Sequence, residues 1–225
     1  MEGFVLAAGL GTRLRPLTDD RPKALVEING TTLLEHTIRR LEKAGINHIV
    51  VNVHHFADKV IDYLRRRGWQ AKIDVSDESA LLLDTGGGLK HAAPLFSGKE
   101  NILIHNVDIL SEIDLSDVER KHVADGNLVT LCVSRRQTKR LLAFDETGRL
   151  LGRAEQGLAF SGISVVGREL FALLPEADHP YPIIDEYIRL SREGHRIGSY
   201  MHSADRWLDV GKPETLEQAR QWRLS

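Results

Sequence analysis

The stretch Phe4-Val5-Leu6-Ala7-Ala8-Gly9-Leu10-Gly11-Thr12-Arg13-Leu14-Arg15-Pro16-Leu17-Thr18 decides how the rest of the chain is read. Its first five residues are a short apolar run, the pattern of a strand buried on both faces. Glycines directly after such a strand let the backbone approach a ligand and turn its N–H groups toward an anion. Gly9 and Gly11 suit that role, and the small Ala7 and Ala8 leave room for a flat base. Arg13, Arg15 and, a few residues on, Lys23 of Pro22-Lys23 place three cations beside the same turn. The arginines offer bidentate forks for phosphate oxygens, and the lysine a mobile point charge.

Outward from that loop, apolar runs alternate with amphipathic ones. Thr32-Leu33-Leu34-Glu35 is a capping box, Leu34, Ile38 and Leu41 follow at helical spacing, and Gly45 is placed to end the helix. Strands are expected over residues 48–53, 71–75, 101–108 and 128–133, with helices over 56–68 and 115–124. This alternation predicts an α/β fold, a Rossmann-like three-layer α/β/α arrangement around a mainly parallel mixed central sheet. After residue 134 the rhythm changes to strands at 141–144, 149–151 and 159–166. A helix at 182–193, a strand at 196–201, an extended piece at 207–210 and a closing helix at 213–222 follow. No linker, repeat or low-complexity tract interrupts the 225 residues, so a single domain over 1–225 is expected, divided near residue 134.

Composition narrows the class. Hydrophobic residues make up 42% and charged residues 28%, as in globular proteins. A chain of this size buries roughly 70–75% of its unfolded surface without a disulfide or metal staple. Thirty basic and 32 acidic side chains leave a formal charge of −2, which argues against a nucleic-acid or anionic-membrane binder. The single cysteine, Cys132, lies in an apolar run and reads as a core residue of a reduced compartment. No apolar run approaches the roughly 20 residues that span a bilayer. Residues 1–6 lack the basic start and long apolar stretch of a signal peptide. A cytoplasmic enzyme is expected, monomeric or a small homo-oligomer.

Familiar phosphate motifs fail. No G-x-x-x-x-G-K-[ST] occurs, since Gly211-Lys212 is followed by Pro213 and Gly98-Lys99 by Glu100. The dinucleotide fingerprint breaks at its third glycine, where Leu14 stands, and the second strand ends in Asn52 and His54 with no carboxylate for a ribose. No H-E-x-x-H, Cys/His zinc spacing or G-x-S-x-G elbow appears. Asp108 ends an apolar strand and Asp209 precedes the turn Val210-Gly211. Ligands of open parallel sheets gather beyond the strands' carboxyl ends. Two aspartates there suit a hard cation such as Mg²⁺, although an aspartate at a strand end also commonly caps a turn.

Residues 6–18 with Pro22-Lys23 resemble the signature of the sugar-1-phosphate nucleotidyltransferases, and the resemblance extends through residues 84–88, Val107-Asp108, residues 160–164 and residues 207–216. It implies that Leu6, Ala7, Ala8, Gly9, Gly11, Thr12 and Arg13 cradle a nucleoside triphosphate. It makes Arg13, Lys23 and Asp108 the catalytic set, with Mg²⁺ held by Asp108 and Asp209. Asp84-Thr85-Gly86-Gly87-Gly88 is expected to open a helix on which a base lies against Thr85, Gly86 and Gly87. Glu78 is the expected reader of a base N–H such as uracil N3. The residues expected at the sugar are Asn106, Glu155, Ser161, Gly162 and Asp185, with residues 1–134 as the nucleotide half and 135–225 as the sugar half. Departures from the family pattern are Val107 for a usual glycine, Lys212 for a usual threonine, and Phe160 where many relatives carry asparagine.

The resemblance implies attack of a sugar-1-phosphate oxygen on the α-phosphorus, with pyrophosphate leaving in line. Phosphate monoesters have a second pKa of about 6, so the nucleophile is mostly ionised near neutrality and needs no general base. What it needs is neutralisation of mutual repulsion and of the charge growing on pyrophosphate. The Thr-Gly-Gly-Gly turn and the Phe160-Ser161-Gly162-Ile163-Ser164 strand most resemble the branch using UTP and N-acetylmuramate 1-phosphate. Guanylyl or thymidylyl transfer to mannose, heptose or glucose 1-phosphate, cytidylyl transfer to choline phosphate, and nucleotide sensing without turnover are the alternatives.

Overall fold

The computed structural model describes residues 1–98 and 101–222. Strand β1 (Glu2–Leu6) lies between β4 (His48–Val53) and β6 (Asn101–Asn106), parallel to both, and β5 (Lys72–Asp77) extends the sheet beyond β4. Two-residue strands β2 (Glu27–Ile28) and β3 (Thr31–Thr32) form a small hairpin in the long loop after β1. Along β1, Phe4 and Val5 point to opposite faces, and each enters a different apolar layer. One layer lies under α1 (Leu33–Lys43), α2 (Ala57–Arg66), α4 (Leu115–Asp125) and α7 (Pro213–Gln221). The other lies under α3 (Asp84–Ala92), α5 (Leu170–Leu173) and α6 (Ile183–Arg192). The expected three layers are therefore present.

Local signals set the helix ends. Thr32 Oγ1 accepts from the Glu35 amide at 3.1 Å, and Gly45 follows α1 at φ +81°. At α4, Asp114 Oδ1 accepts from the amides of Ser116 and Asp117, each at 3.0 Å. Substituting such caps costs about 1 kcal/mol.

The second half of the chain completes the same sheet. Strand β8 (Val129–Ser134) pairs parallel with β12 (Ile197–Met201) and antiparallel with β11 (Leu158–Gly167), which in turn runs antiparallel to β6. Strands β9 (Leu141–Phe144) and β10 (Leu150–Ala154) extend from the first residues of β11. The predicted strand over 101–108 stops at Asn106. After Val107 and Asp108 the chain turns into β7 (Ile109–Ser111), which leaves the main sheet and pairs with β13 (Trp207–Asp209). Strand order reverses between β1 and β6, the place where ligands of open α/β sheets settle. No helix among the described residues is long and apolar enough to cross a membrane.

Candidate active site

The carboxylates are brought together by the short β7–β13 ladder. Asp209 pairs in register with Ile109, and the Val210 amide donates to the Asp108 carbonyl at 2.8 Å. Helix α1 fixes this turn from behind. The Thr37 hydroxyl, 3.0 Å from the Leu33 carbonyl, also lies 3.3 Å from that of Val107, and Arg40 donates to the Ser111 and Ile113 carbonyls. Burial pushes Arg40 down to about 10, so its guanidinium stays charged. Val107 is fully buried in the layer under α1.

From the opposite side comes the glycine loop. Lys23 Nζ donates to Asp108 Oδ2 at 2.6 Å, with both side chains mostly shielded. Gly11 sits at φ +66° with its carbonyl bonded to the Thr18 hydroxyl at 2.9 Å; a Cβ there would lie 2.9 Å from Lys23 Cβ. A Cβ on Gly211 would lie 2.5 Å from Arg13 Nη2 and 2.7 Å from Asp209 Oδ1, so glycine lets the arginine and the aspartate share that corner. Burial, then the Asp108 charge, raises the Asp209 carboxyl above its ordinary range; Arg13 and Lys23 oppose the shift. Asp209 Oδ1 is buried without a hydrogen-bond partner.

Arg13 and Asp209 border a cleft of about 1190 Å³; Lys23 and Asp108 are not among the residues that line it. Of the residues expected to bind ligands, Leu6, Arg13, Thr85, Asn106, Gly162 and Asp209 line it. Gly162, at φ +75°, allows the close approach of Asn106 and Ile109, which a Cβ would meet at 3.0 and 2.8 Å. Gly9 and Thr12 are exposed on the loop. Ala7 and Ala8 are different, because their amides are taken by Asn52 Oδ1 at 2.6 and 3.2 Å. Asn52 braces the loop from β4, a role its position at the end of a buried strand did not announce.

Several of the expected ligand residues are engaged within the protein. Glu78 is 2% exposed. One oxygen accepts from Asn52 Nδ2 at 2.7 Å and the other from the Leu83 amide at 3.1 Å, so it holds the brace instead of facing a base. Burial raises its carboxyl, against those two hydrogen bonds. Gly86 and Gly87 lie inside the first turn of α3 and are small for packing. A Cβ on Gly86 would come within 2.4 Å of the Tyr181 ring, and one on Gly87 within 3.1 Å of the His179 carbonyl. Thr85 Oγ1 accepts from the Ile183 amide at the start of α6, at 2.9 Å. Ser161 is fully buried, its hydroxyl 2.7 Å from His202 Nε2. Asp185 is tied to Arg153 at 2.6 Å in a separate surface hollow, and Glu155 is exposed away from the cleft lining. Sequence reasoning missed four further cations, Arg136, Arg140, Arg153 and Lys212, that line the cleft.

Cations and paired carboxylates beyond the carboxyl ends of such a sheet suit phosphate chemistry, and the comparisons with known proteins define the class as sugar-1-phosphate nucleotidyltransferase. The chain belongs to the nucleotidyl transferase family, whose model matches residues 2–148. It is 37% identical to an N-acetylmuramate alpha-1-phosphate uridylyltransferase of Caulobacter vibrioides, over 94% of this chain and 92% of that one. It is 30% identical to the protein of the same name from Neisseria meningitidis, over 98% and 97%. A solved putative glucose-1-phosphate thymidylyltransferase from Bacillus anthracis superposes with a TM-score of 0.85 at 16% identity, covering all of this chain and 97% of the other. That last likeness is one of fold.

Proposed function

We propose that the protein transfers a uridylyl group from UTP to N-acetylmuramate 1-phosphate in a Mg²⁺-dependent reaction, in the cytoplasm. The base and sugar rest on similarity to the two uridylyltransferases. The observation that carries the chemistry is the meeting of Asp108 and Asp209 across one ladder, beside Lys23 and Arg13.

The donor set fits the metal. Asp209 Oδ1 is a buried oxygen lacking a partner, and Asp108 stands next to it. Among the described residues no group of three or more acidic, histidine or cysteine side chains gathers. Mg²⁺ is commonly held by one or two carboxylates with substrate phosphates completing its shell. Bound by Asp108 and Asp209, it would supply charge neutralisation for the triphosphate.

The chain's own residues account for the remaining needs. Arg13 and Lys23 draw the phosphates to the glycine loop and offset the charge that develops on pyrophosphate. A sugar-phosphate oxygen forms the new bond to the α-phosphorus, and the bond from that phosphorus to the bridging oxygen of pyrophosphate breaks. The nucleophile arrives ionised, so no side chain has to remove a proton.

Pyrophosphate release from a panel of triphosphates and sugar 1-phosphates tests the assignment. UTP with N-acetylmuramate 1-phosphate is expected to give the highest kcat/KM, and omission of Mg²⁺ to abolish turnover. Preference for GTP with mannose 1-phosphate would overturn the assignment of base and sugar.

A further inference from the structure

Arg13 and Lys23 both come from the glycine loop, on the side of the triphosphate. The reaction joins two anions, and the nucleophile needs a cation of its own. Arg136, in the loop after β8, lines the cleft on the other side. Its guanidinium stacks on Trp207, 3.9 Å from the ring centroid, and its Nη2 donates to the Phe160 carbonyl at 2.6 Å. Trp207 is itself pinned, its indole N–H donating to the Ser161 carbonyl at 2.8 Å. Arg136 Nη1 is buried and has no hydrogen-bond partner.

That arrangement is costly without a ligand. A buried donor left unpaired forfeits about 1–3 kcal/mol, more when charged. Burial lowers the Arg136 pKa, and the charge of Asp209 opposes the shift, which places the two within electrostatic reach of each other. Trp207 and Asp209 are two residues apart on one strand, so their side chains share a face. A cation stacked on Trp207 therefore lies on the side of this strand that carries Asp209, within electrostatic reach of that carboxylate. Arginine suits this place because its planar fork can stack, hold a carbonyl and still offer donors to phosphate oxygens.

We infer that Arg136 is a binding residue for the phosphate of the acceptor sugar, holding the nucleophile against the α-phosphorus while Arg13 and Lys23 hold the triphosphate. This rests on the sugar-1-phosphate nucleotidyltransferase class and not on the choice of base or sugar. A carboxylate on the sugar is the competing ligand for the same fork.

The test separates the two KM values. In Arg136→Gln the KM for the sugar 1-phosphate is expected to rise on the order of 10- to 100-fold, while the KM for the triphosphate changes less than about twofold. Arg136→Lys keeps the charge but not the fork and is expected to fall between. A retained thermal shift with triphosphate and Mg²⁺ shows that each variant folds; should the glutamine variant fail, the lysine variant reads the same split. The loss should be equal for glucose 1-phosphate and N-acetylmuramate 1-phosphate, if slow turnover of the poorer substrate is measured at long times. Loss confined to the acidic sugar would assign Arg136 to the carboxylate and overturn the proposal, as would equal rises in both KM values. Silence of the wild-type enzyme toward every pair in the substrate panel would instead count against the enzyme class, a result distinct from any effect of Arg136.

Discussion

The two walls of the cleft are built in opposite ways. The donor wall is a contiguous loop, residues 6–23, closed by two aspartates on a short ladder and braced by Asn52 and Glu78. The far wall is assembled from single residues of separate segments: Arg136 after β8, Phe160 on β11 and Trp207 on β13. Triphosphate chemistry is the same for every substrate pair, so it can be written into one stretch of chain. With Arg136 as proposed, recognition of the acceptor is distributed, and each contributing residue can change without disturbing the loop. Substitutions on the donor wall should therefore stop the reaction, and those on the far wall should retune it.

The largest expected effect is on the ladder. Asp108→Asn keeps the shape of the side chain but removes half of the carboxylate pair and leaves Lys23 facing a neutral amide. Losing several kcal/mol of charge stabilisation corresponds to a fall in kcat/KM of about 10³-fold or more, with the far-UV spectrum and thermal midpoint close to wild type. A loss of tenfold or less would show that the donor wall does not organise the chemistry through this aspartate.

A smaller effect, of a different kind, is expected at the glycines of α3. Gly86→Ala gains about 1 kcal/mol of helix propensity but drives a methyl group into the Tyr181 ring and carbonyl. Overpacking costs typically about 1–3 kcal/mol, so a net loss of up to roughly 2 kcal/mol is expected in urea unfolding, with the triphosphate KM little changed. Shortening the aromatic in Gly86→Ala/Tyr181→Leu should recover part of it. A raised triphosphate KM at unchanged stability would return these glycines to the nucleotide.

Next in size is the brace. Asn52→Ala removes the acceptor of two loop amides, for about 1–2 kcal/mol of stability and a severalfold rise in triphosphate KM. Glu78→Gln should cost stability without altering the preference among UTP, dTTP and GTP. A changed base preference would show that the carboxylate touches the base after all.

The fold was legible because its signals are local and periodic: the capping box at Thr32, the apolar run at 48–53 and the glycine after α1 each act within a few residues. The pairing of aspartates 101 positions apart was legible only through the resemblance; spacing alone leaves each as a turn cap. Three things stayed hidden for physical reasons. A glycine looks the same whether it makes room for a ligand or for Tyr181. A carboxylate such as Glu78 does not reveal that both its oxygens are engaged by neighbours. Arg136 sits in an arginine pair, Arg135-Arg136, and only the tertiary position of Trp207 turns one of them inward.

The smallest expected effect is the sharpest test of where the far wall ends. Glu155 lies one residue past the end of the hairpin strand β10, and the strand's own Arg153 reaches both the cleft and the outer hollow, where it pairs with Asp185. Exposed pairs of this kind contribute about 0–1 kcal/mol, and Glu155 lies outside the lining altogether. Glu155→Ala should leave kcat and both KM values within about twofold of wild type, and Asp185→Asn should alter the acceptor KM only slightly by loosening Arg153. A tenfold rise in the acceptor KM on removing Glu155 would mean that the hairpin folds over the bound sugar, and that the far wall reaches past the residues now facing the cleft.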